Sequence, residues 1–266
     1  MKQAVKHLYP FLPRWITNRI AESREHLRVI DLSRVALLRN ADKNMLLNAA
    51  ALESFLPTLG LGGYPDDVPV DLRRHIRAGL WHWQSPKQFA PYLVSLASLP
   101  IHSYLEIGVK HGGTFVITIE YLSRFRPIER ALGVDANFCP SLLRYHGMNP
   151  RAEFLQLNTR DPAFEARVRS SGGFDLVLID GDHEEEGCRK DFDIVYPFAN
   201  VLVFHDIVNE FTPGPGAVWR SVKARYADEF EFTEYVDQYP HVIQKVGKGI
   251  LGLGMAVRRQ WRPHAR

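Results

Sequence analysis

The residues best able to do chemistry lie where short apolar runs end. Tyr104-Leu-Glu-Ile-Gly-Val-Lys-His-Gly-Gly-Thr114 has the pattern of a strand that stops at Glu106, a glycine turn, and a helix opening near Thr114. Gly108, Gly112 and Gly113 carry no Cβ, so the backbone there can turn tightly and approach a ligand. Free N–H groups at the start of the following helix can then receive a carboxylate or a phosphate. Three further runs end in acids: Gly133-Val-Asp135, Phe174-Asp-Leu-Val-Leu-Ile-Asp180 (continuing Gly181-Asp-His183), and Val201-Leu-Val-Phe-His-Asp206. A carboxylate such as Asp135, ending a second strand, can accept both hydroxyls of a ribose. The spacing Glu106-x-Gly108-x-x-x-Gly112 departs from the G-x-G-x-x-G fingerprint that brings a helix up to a pyrophosphate. Here the turn is wider and begins with an acid, which suits a cofactor bearing an amino group rather than a diphosphate. S-adenosylmethionine fits that description.

These ends meet only if the strands run parallel. In open α/β sheets, ligands sit beyond the carboxyl ends of the strands near the point where strand order reverses. Glu106, Gly108, Asp135, Asn158, Asp180, His205 and Asp206 then surround one crevice. From Ser103 onward the pattern predicts strands at 103–108, 131–135, 153–157, 174–180 and 200–205, and helices at 113–125, 140–147, 161–170, 184–196 and 215–229. That alternation implies right-handed βαβ units and a parallel sheet covered on both faces. Segments 231–236 and 250–257 form a closing hairpin with a long connection at 237–249, giving seven strands in all. Before residue 100 the apolar residues recur at helical spacing (Val29, Leu32, Val35, Leu38, then Leu46, Leu47, Ala50). A loop follows at Gly60-Leu-Gly-Gly-Tyr-Pro65, and a further helix is capped by Ser85 with Pro86 at its first position. The expected organisation is a helical extension over 1–100, a cofactor-binding domain over 101–258 and a basic tail over 259–266.

Glu106-Ile-Gly-Val-Lys-His-Gly-Gly113, Gly133-Val-Asp135, Ile179-Asp-Gly-Asp-His183 and Phe204-His-Asp-Ile207, together with Trp83-Gln-Ser-Pro86, resemble class I S-adenosylmethionine-dependent methyltransferases over residues 80–257. The branch they look most like is that of macrocin O-methyltransferase and cephalosporin-hydroxylase-like proteins. The resemblance implies a Rossmann-like, mostly parallel seven-stranded sheet, cofactor contacts at Glu106, Gly108 and Asp135, and an adenine contact near Asn158. It also implies a divalent ion such as Mg²⁺ or Mn²⁺ held by Asp180 and the pair His205-Asp206, with His183 as the catalytic base. A cation lowers the pKa of an acceptor hydroxyl, a histidine takes its proton, and the alkoxide attacks the sulfonium methyl. His205 stands where those relatives carry Glu, which admits Mn²⁺, Fe²⁺ or Zn²⁺ and equally no metal. The implied activity is O-methylation of a small molecule, a sugar or other secondary metabolite.

Each residue also has a plainer reading. The glycines could serve the turn alone, Asp182 could cap the helix after it, and Glu184-Glu-Glu186 reads as a solvated first helical turn. Pro213-Gly-Pro-Gly216 reads as a loop over the crevice, and Trp219 as core. The 33 Lys and Arg against 30 Asp and Glu leave a net charge of +3, too small and too scattered to argue for nucleic acid. Cys139 and Cys188 match no ligand spacing, so reduced thiols in the cytoplasm are expected. No apolar run approaches the roughly 20 residues that span a bilayer. Association with copies of itself stays open. Two other classes remain: an NAD(P)-dependent oxidoreductase on a similar sheet, and a catalytically silent relative that binds a partner through its helical extension.

Overall fold

The computed structural model describes residues 28–261. The basic tail and the start of the helical extension therefore lie partly outside the described residues. Seven strands form one sheet in the order β3-β2-β1-β4-β5-β7-β6. They are β1 (Ser103–Ile107), β2 (Arg130–Asp135), β3 (Ala152–Gln156), β4 (Phe174–Ile179), β5 (Ala199–Phe204), β6 (Phe230–Tyr235) and β7 (Leu253–Arg258). The first five are parallel, while β7 runs antiparallel to both β5 and β6. Strand order reverses between β1 and β4, so the crevice expected at a switch point opens there.

Period-two alternation divides the core into two faces. Leu105, Ile107, Val177, Ile179, Leu202 and Phe204 point to one face, where they meet Phe164, Val168, Phe192, Val195 and Trp219. Tyr104, Leu176, Leu178, Val201 and Val203 point to the other. Continuing the same parity carries Glu106, Asp180 and His205 towards that second face at the strand ends.

The second face is covered by the N-terminal helices α1 (Val35–Asn40), α2 (Lys43–Leu47), α3 (Ala49–Leu59) and α4 (Pro86–Ala97), and by α5 (Gly113–Leu122). Val35, Leu38, Leu46, Leu52, Leu56 and Leu59 are fully buried in one cluster with Tyr104, Phe115 and Leu178, so the extension shares its core with the sheet. A polar contact locks the join. Arg39 donates from Nε and Nη2 to the two carboxylate oxygens of buried Glu120 at 2.8 and 2.7 Å, and Tyr145 donates to the same carboxylate at 2.8 Å. The bidentate geometry satisfies a carboxylate that burial alone would penalise.

α6 (Pro140–Met148) lies on the same second face, where Leu142 and Tyr145 join its cluster, while α7 (Pro162–Ser170), α8 (Glu185–Val195) and α9 (Pro213–Arg225) run on the opposite face. Two assignments differ from the sequence reading. Pro213-Gly-Pro-Gly216 is the first turn of α9 rather than a loop, because proline at the first helical positions lacks only N–H groups that no helical carbonyl would accept. The connection 237–249 contains α10 (Pro240–Val246), ended by Gly247 at φ +73°. Its seven residues are too short for periodicity to reveal. Among the described residues no helix is long and apolar enough to cross a membrane.

Candidate active site

A cavity of about 1140 Å³ opens at the carboxyl ends of the parallel strands. Glu106, Gly108, Asp135, Asn158, Asp180, His183, His205 and Asp206 all line it. The strand-end residues singled out from sequence are thus brought together, with one exception. Gly112 does not line the cavity; it turns the chain into α5 at φ +85°, where a Cβ would stand 2.6 Å from Leu142. Its role here is conformational. Gly113 does line the cavity, and its missing Cβ admits the Leu80 carbonyl oxygen, which would lie only 1.9 Å away.

The cofactor side is built by β1, β2 and the turn between β1 and α5. Gly108 sits at φ +86°, with the Asp180 carbonyl 2.0 Å from where a Cβ would be, so no other residue fits between the two strand ends. Lys110 donates its backbone N–H to Asp135 Oδ2 at 2.8 Å, and Asn137 donates to Oδ1 at 2.8 Å. These bonds fix the plane of the Asp135 carboxylate and leave further lone pairs towards the cavity. Glu106 is buried and accepts from the Tyr104 hydroxyl, two positions back on the same face. Burial pushes its carboxyl well above the usual range against that hydrogen bond. Tyr104 went unremarked in the sequence, although its i−2 spacing from Glu106 on a strand was a usable signal. Asn158 is exposed at the cavity edge, its Oδ1 accepting from the Arg160 N–H at 2.9 Å.

The N-terminal segment roofs the opposite wall. Leu61, Gly62, Tyr64, Asp67 and residues 81–85 line the cavity. The Lys110 ammonium lies over the Trp83 ring at 3.4 Å, and Tyr64 meets the same indole edge-on. His82 is buried against Phe89, and burial lowers its pKa to about 4.

Beyond the switch point, two histidines and two carboxylates cluster. His205 Nδ1 lies 2.9 Å from Asp180 Oδ1 and 3.3 Å from Asp206 Oδ1. His183 places Nε2 at 3.5 Å from Asp180 Oδ1 and Nδ1 at 3.7 Å from Asp206 Oδ2. His205 and Asp206 both reach the site because Asp206, at φ +61°, breaks the alternation that would send them to opposite faces. Asp182 does not cap α8, whose N-cap position is Glu184: its Oδ1 accepts from the Glu184 N–H at 3.0 Å just ahead of the helix, and Oδ2 pairs with Arg160 at 2.7 Å.

The donor set expected for a metal, Asp180, His205 and Asp206, does not fit an ion as arranged. The His205 ring fills the space between the two carboxylates and turns Nδ1 onto them. Among the described residues no group of three or more His, Cys, Asp or Glu side chains could hold a metal ion. Burial opposes a charge on His205, but Asp180 and Asp206 outweigh it and raise its pKa to about 9.

That shift sets a pH dependence. The ordinary value is 6.5, so a folded-state pKa near 9 contributes stability that is complete below about pH 6.5 and is lost as pH rises through 9. In denaturant unfolding, the gap in stability between wild type and His205→Asn is expected to narrow by up to about 1.4 kcal/mol per pH unit over that window. A gap that stays constant from pH 6 to 10 would refute the charged state of this histidine.

Comparison with known proteins agrees with the architecture. Residues 105–207 match the family model described as a methyltransferase domain. None of the curated proteins compared matches the chain. Among solved structures, the O-methyltransferase from Bacillus cereus in complex with SAH aligns with TM-score 0.50 and 15% identity over 83% of this chain and 93% of its own. Cofactor-bound Rv0187 from MTB aligns with TM-score 0.48 and 17% identity, over 83% of this chain and 92% of that one. MycE from the mycinamycin biosynthetic pathway, in complex with Mg and SAH, aligns with TM-score 0.41 and 21% identity over 70% of this chain, which spans about half of MycE (53%). The alignment with the Bacillus cereus structure and the strand order make the seven-stranded sheet a Rossmann-like methyltransferase fold.

Proposed function

We propose that the protein transfers a methyl group from S-adenosylmethionine to a hydroxyl of a small molecule. The observation that carries this reading is the convergence of Glu106, Gly108, Asp135 and Asp180 on one cavity at the switch point. Asp135 would accept the ribose hydroxyls, Asn158 would stand at the adenine, and Glu106 with Asp180 would face the ammonium and sulfonium charges. A cation brought against the buried Glu106 would favour its ionised form. At about 1140 Å³ the cavity exceeds the roughly 300–1,000 Å³ of a single drug-sized site, which supports room for an acceptor beside the cofactor. The acceptor would lie between the wall at Tyr64 and Gln84 and the loop at Phe211 and Thr212, a size suited to a sugar or secondary metabolite.

His183 would act as the base. Its side chain is 40% exposed at the cavity, and Asp180 and Asp206 lie within ion-pair distance of its two nitrogens. Those carboxylates orient the ring and stabilise the imidazolium formed when it takes the acceptor proton, as an aspartate does beside a catalytic histidine. The resulting alkoxide attacks the methyl carbon, and the C–S bond breaks to leave S-adenosylhomocysteine. Among the described residues the donor arrangement gives no ready-made metal site.

Calorimetric titration with S-adenosylhomocysteine and, separately, with NADH tests the reading. Saturable binding of the first and none of the second is expected; the reverse would assign the sheet to an oxidoreductase and end the proposal.

A further inference from the structure

The opening of α9 touches both His183 and Asp206. Thr212 Oγ1 donates to Asp206 Oδ2 at 3.0 Å, the same oxygen that lies 3.7 Å from His183 Nδ1. Two residues on, a Cβ on Gly214 would stand 2.4 Å from the His183 carbonyl oxygen and 2.5 Å from the Glu185 backbone nitrogen. A Cβ on Gly216 would stand 2.6 Å from the Ile207 carbonyl oxygen. The first turn of α9 is thus wedged between the loop that carries His183 and the end of β5 that carries Asp206. Every group that would lie within 3.0 Å of these added Cβ atoms is backbone rather than a movable side chain.

The wedge is itself rigidly seated. Val218, Trp219 and Val222 of α9 are buried against the sheet, and the Trp219 ring meets Phe204 of β5 at 5.5 Å between centroids. The chain between Asp206 and Thr212 is tied to the segment just ahead of β7: Ile207 donates to the Gly252 carbonyl at 3.3 Å, Val208 to that of Leu251 at 3.1 Å and Glu210 to that of Gly249 at 3.1 Å. Asp206 also holds φ +61°, a backbone state that is strained for a non-glycine residue and persists where its surroundings enforce it.

We propose that Thr212-Pro-Gly-Pro-Gly216 is the positioning element that sets His183 against Asp206, with Thr212 and Gly214 as its positioning residues. Thr212 fixes the rotation of the Asp206 carboxylate, and Gly214 fixes how far the His183 peptide stands from it. The glycines are required because the helix start must approach two other backbones closer than any Cβ allows. This inference rests on His183 being the base of the reaction, and it adds a device that places that base from the acceptor edge of the cavity, away from the cofactor side.

The test compares Thr212→Val, Thr212→Ser and Gly214→Ala with wild type, using labelled S-adenosylmethionine and a panel of methyl glycosides and small phenols as acceptors. Misplacing a reacting group by about 1 Å can cost on the order of a hundredfold. Accordingly kcat is expected to fall by roughly tenfold to a hundredfold in Thr212→Val and Gly214→Ala. KM for S-adenosylmethionine and affinity for S-adenosylhomocysteine should stay within about twofold of wild type, because neither residue faces the Glu106 and Asp135 side. Thr212→Ser, which keeps the hydroxyl, should regain most of the rate. A crystal structure of Gly214→Ala with S-adenosylhomocysteine should show His183 and Asp206 separated beyond the about 4 Å reach of an ion pair. An intact His183–Asp206 contact in that structure, or equal losses of kcat in Thr212→Ser and Thr212→Val, would overturn the proposal. If Gly214→Ala does not fold, the valine and serine variants decide alone. If wild type binds S-adenosylhomocysteine yet methylates nothing in the panel, the methyl-transfer reading is what fails, and the crystallographic distance still decides the positioning.

Discussion

Replacing His183 with alanine is expected to lower methyl transfer by about 10²–10⁴-fold, the usual contribution of a positioned general base. The loss should appear in kcat. His183 lies beyond the switch point from Asp135 and Gly108, and it makes none of the contacts that hold the glycine turn. Affinity for S-adenosylhomocysteine, measured calorimetrically, should therefore remain within about twofold of wild type. The ring is flanked by Asp180 at 3.5 Å and Asp206 at 3.7 Å, so removing it leaves two carboxylates beside His205 rather than an open hole. Folding should survive, and a thermal melt close to wild type serves as the control. Wild-type turnover by His183→Ala on the panel acceptor would eliminate this residue as the base and leave the site without an identified proton acceptor.

The second large effect concerns the cofactor. Asp135→Ala is expected to weaken S-adenosylhomocysteine binding by roughly 1–3 kcal/mol, the cost of leaving buried hydrogen-bonding groups unpaired. Two sources add. The ribose hydroxyls lose their acceptor, and the N–H groups of Lys110 and Asn137 lose the carboxylate that now fixes them at 2.8 Å. Asp135→Asn separates the two, since one carbonyl oxygen survives; an intermediate loss is expected. An affinity unchanged in both variants would place the ribose elsewhere.

Much of this site was legible because strand parity is arithmetic. Once 103–107, 174–179 and 199–204 are strands, Glu106, Asp180 and His205 follow at even steps from Tyr104, Leu176 and Val201, and a parallel sheet brings all three to one end. What the residues could not reveal is the third dimension at turns. Gly112 and Gly113 look equivalent in sequence, yet one accommodates Leu142 and the other the Leu80 carbonyl. Thr212 and Gly214 lie between obvious elements and carry no periodic signal; only the distance to Asp206 and to the His183 carbonyl shows what they do. The metal set that the family resemblance implied is not assembled among the described residues, because packing turns His205 towards Asp180 and Asp206. α10 was missed because a single short helix inside a long connection leaves too few turns for a pattern.

The fit of the Leu80 carbonyl against Gly113 has a consequence for how such a catalyst can change its diet. The strip from Leu80 to Ser85 lines the cavity and abuts the glycine turn, so under the proposed reading mutations that shift it to admit a new acceptor would disturb cofactor capture in the same step. Freedom to vary therefore concentrates at Tyr64 and at Phe211, the two large apolar side chains that line the cavity yet stand mostly in solvent. A laboratory search for altered acceptor range would do best to randomise those two positions and hold the ceiling constant.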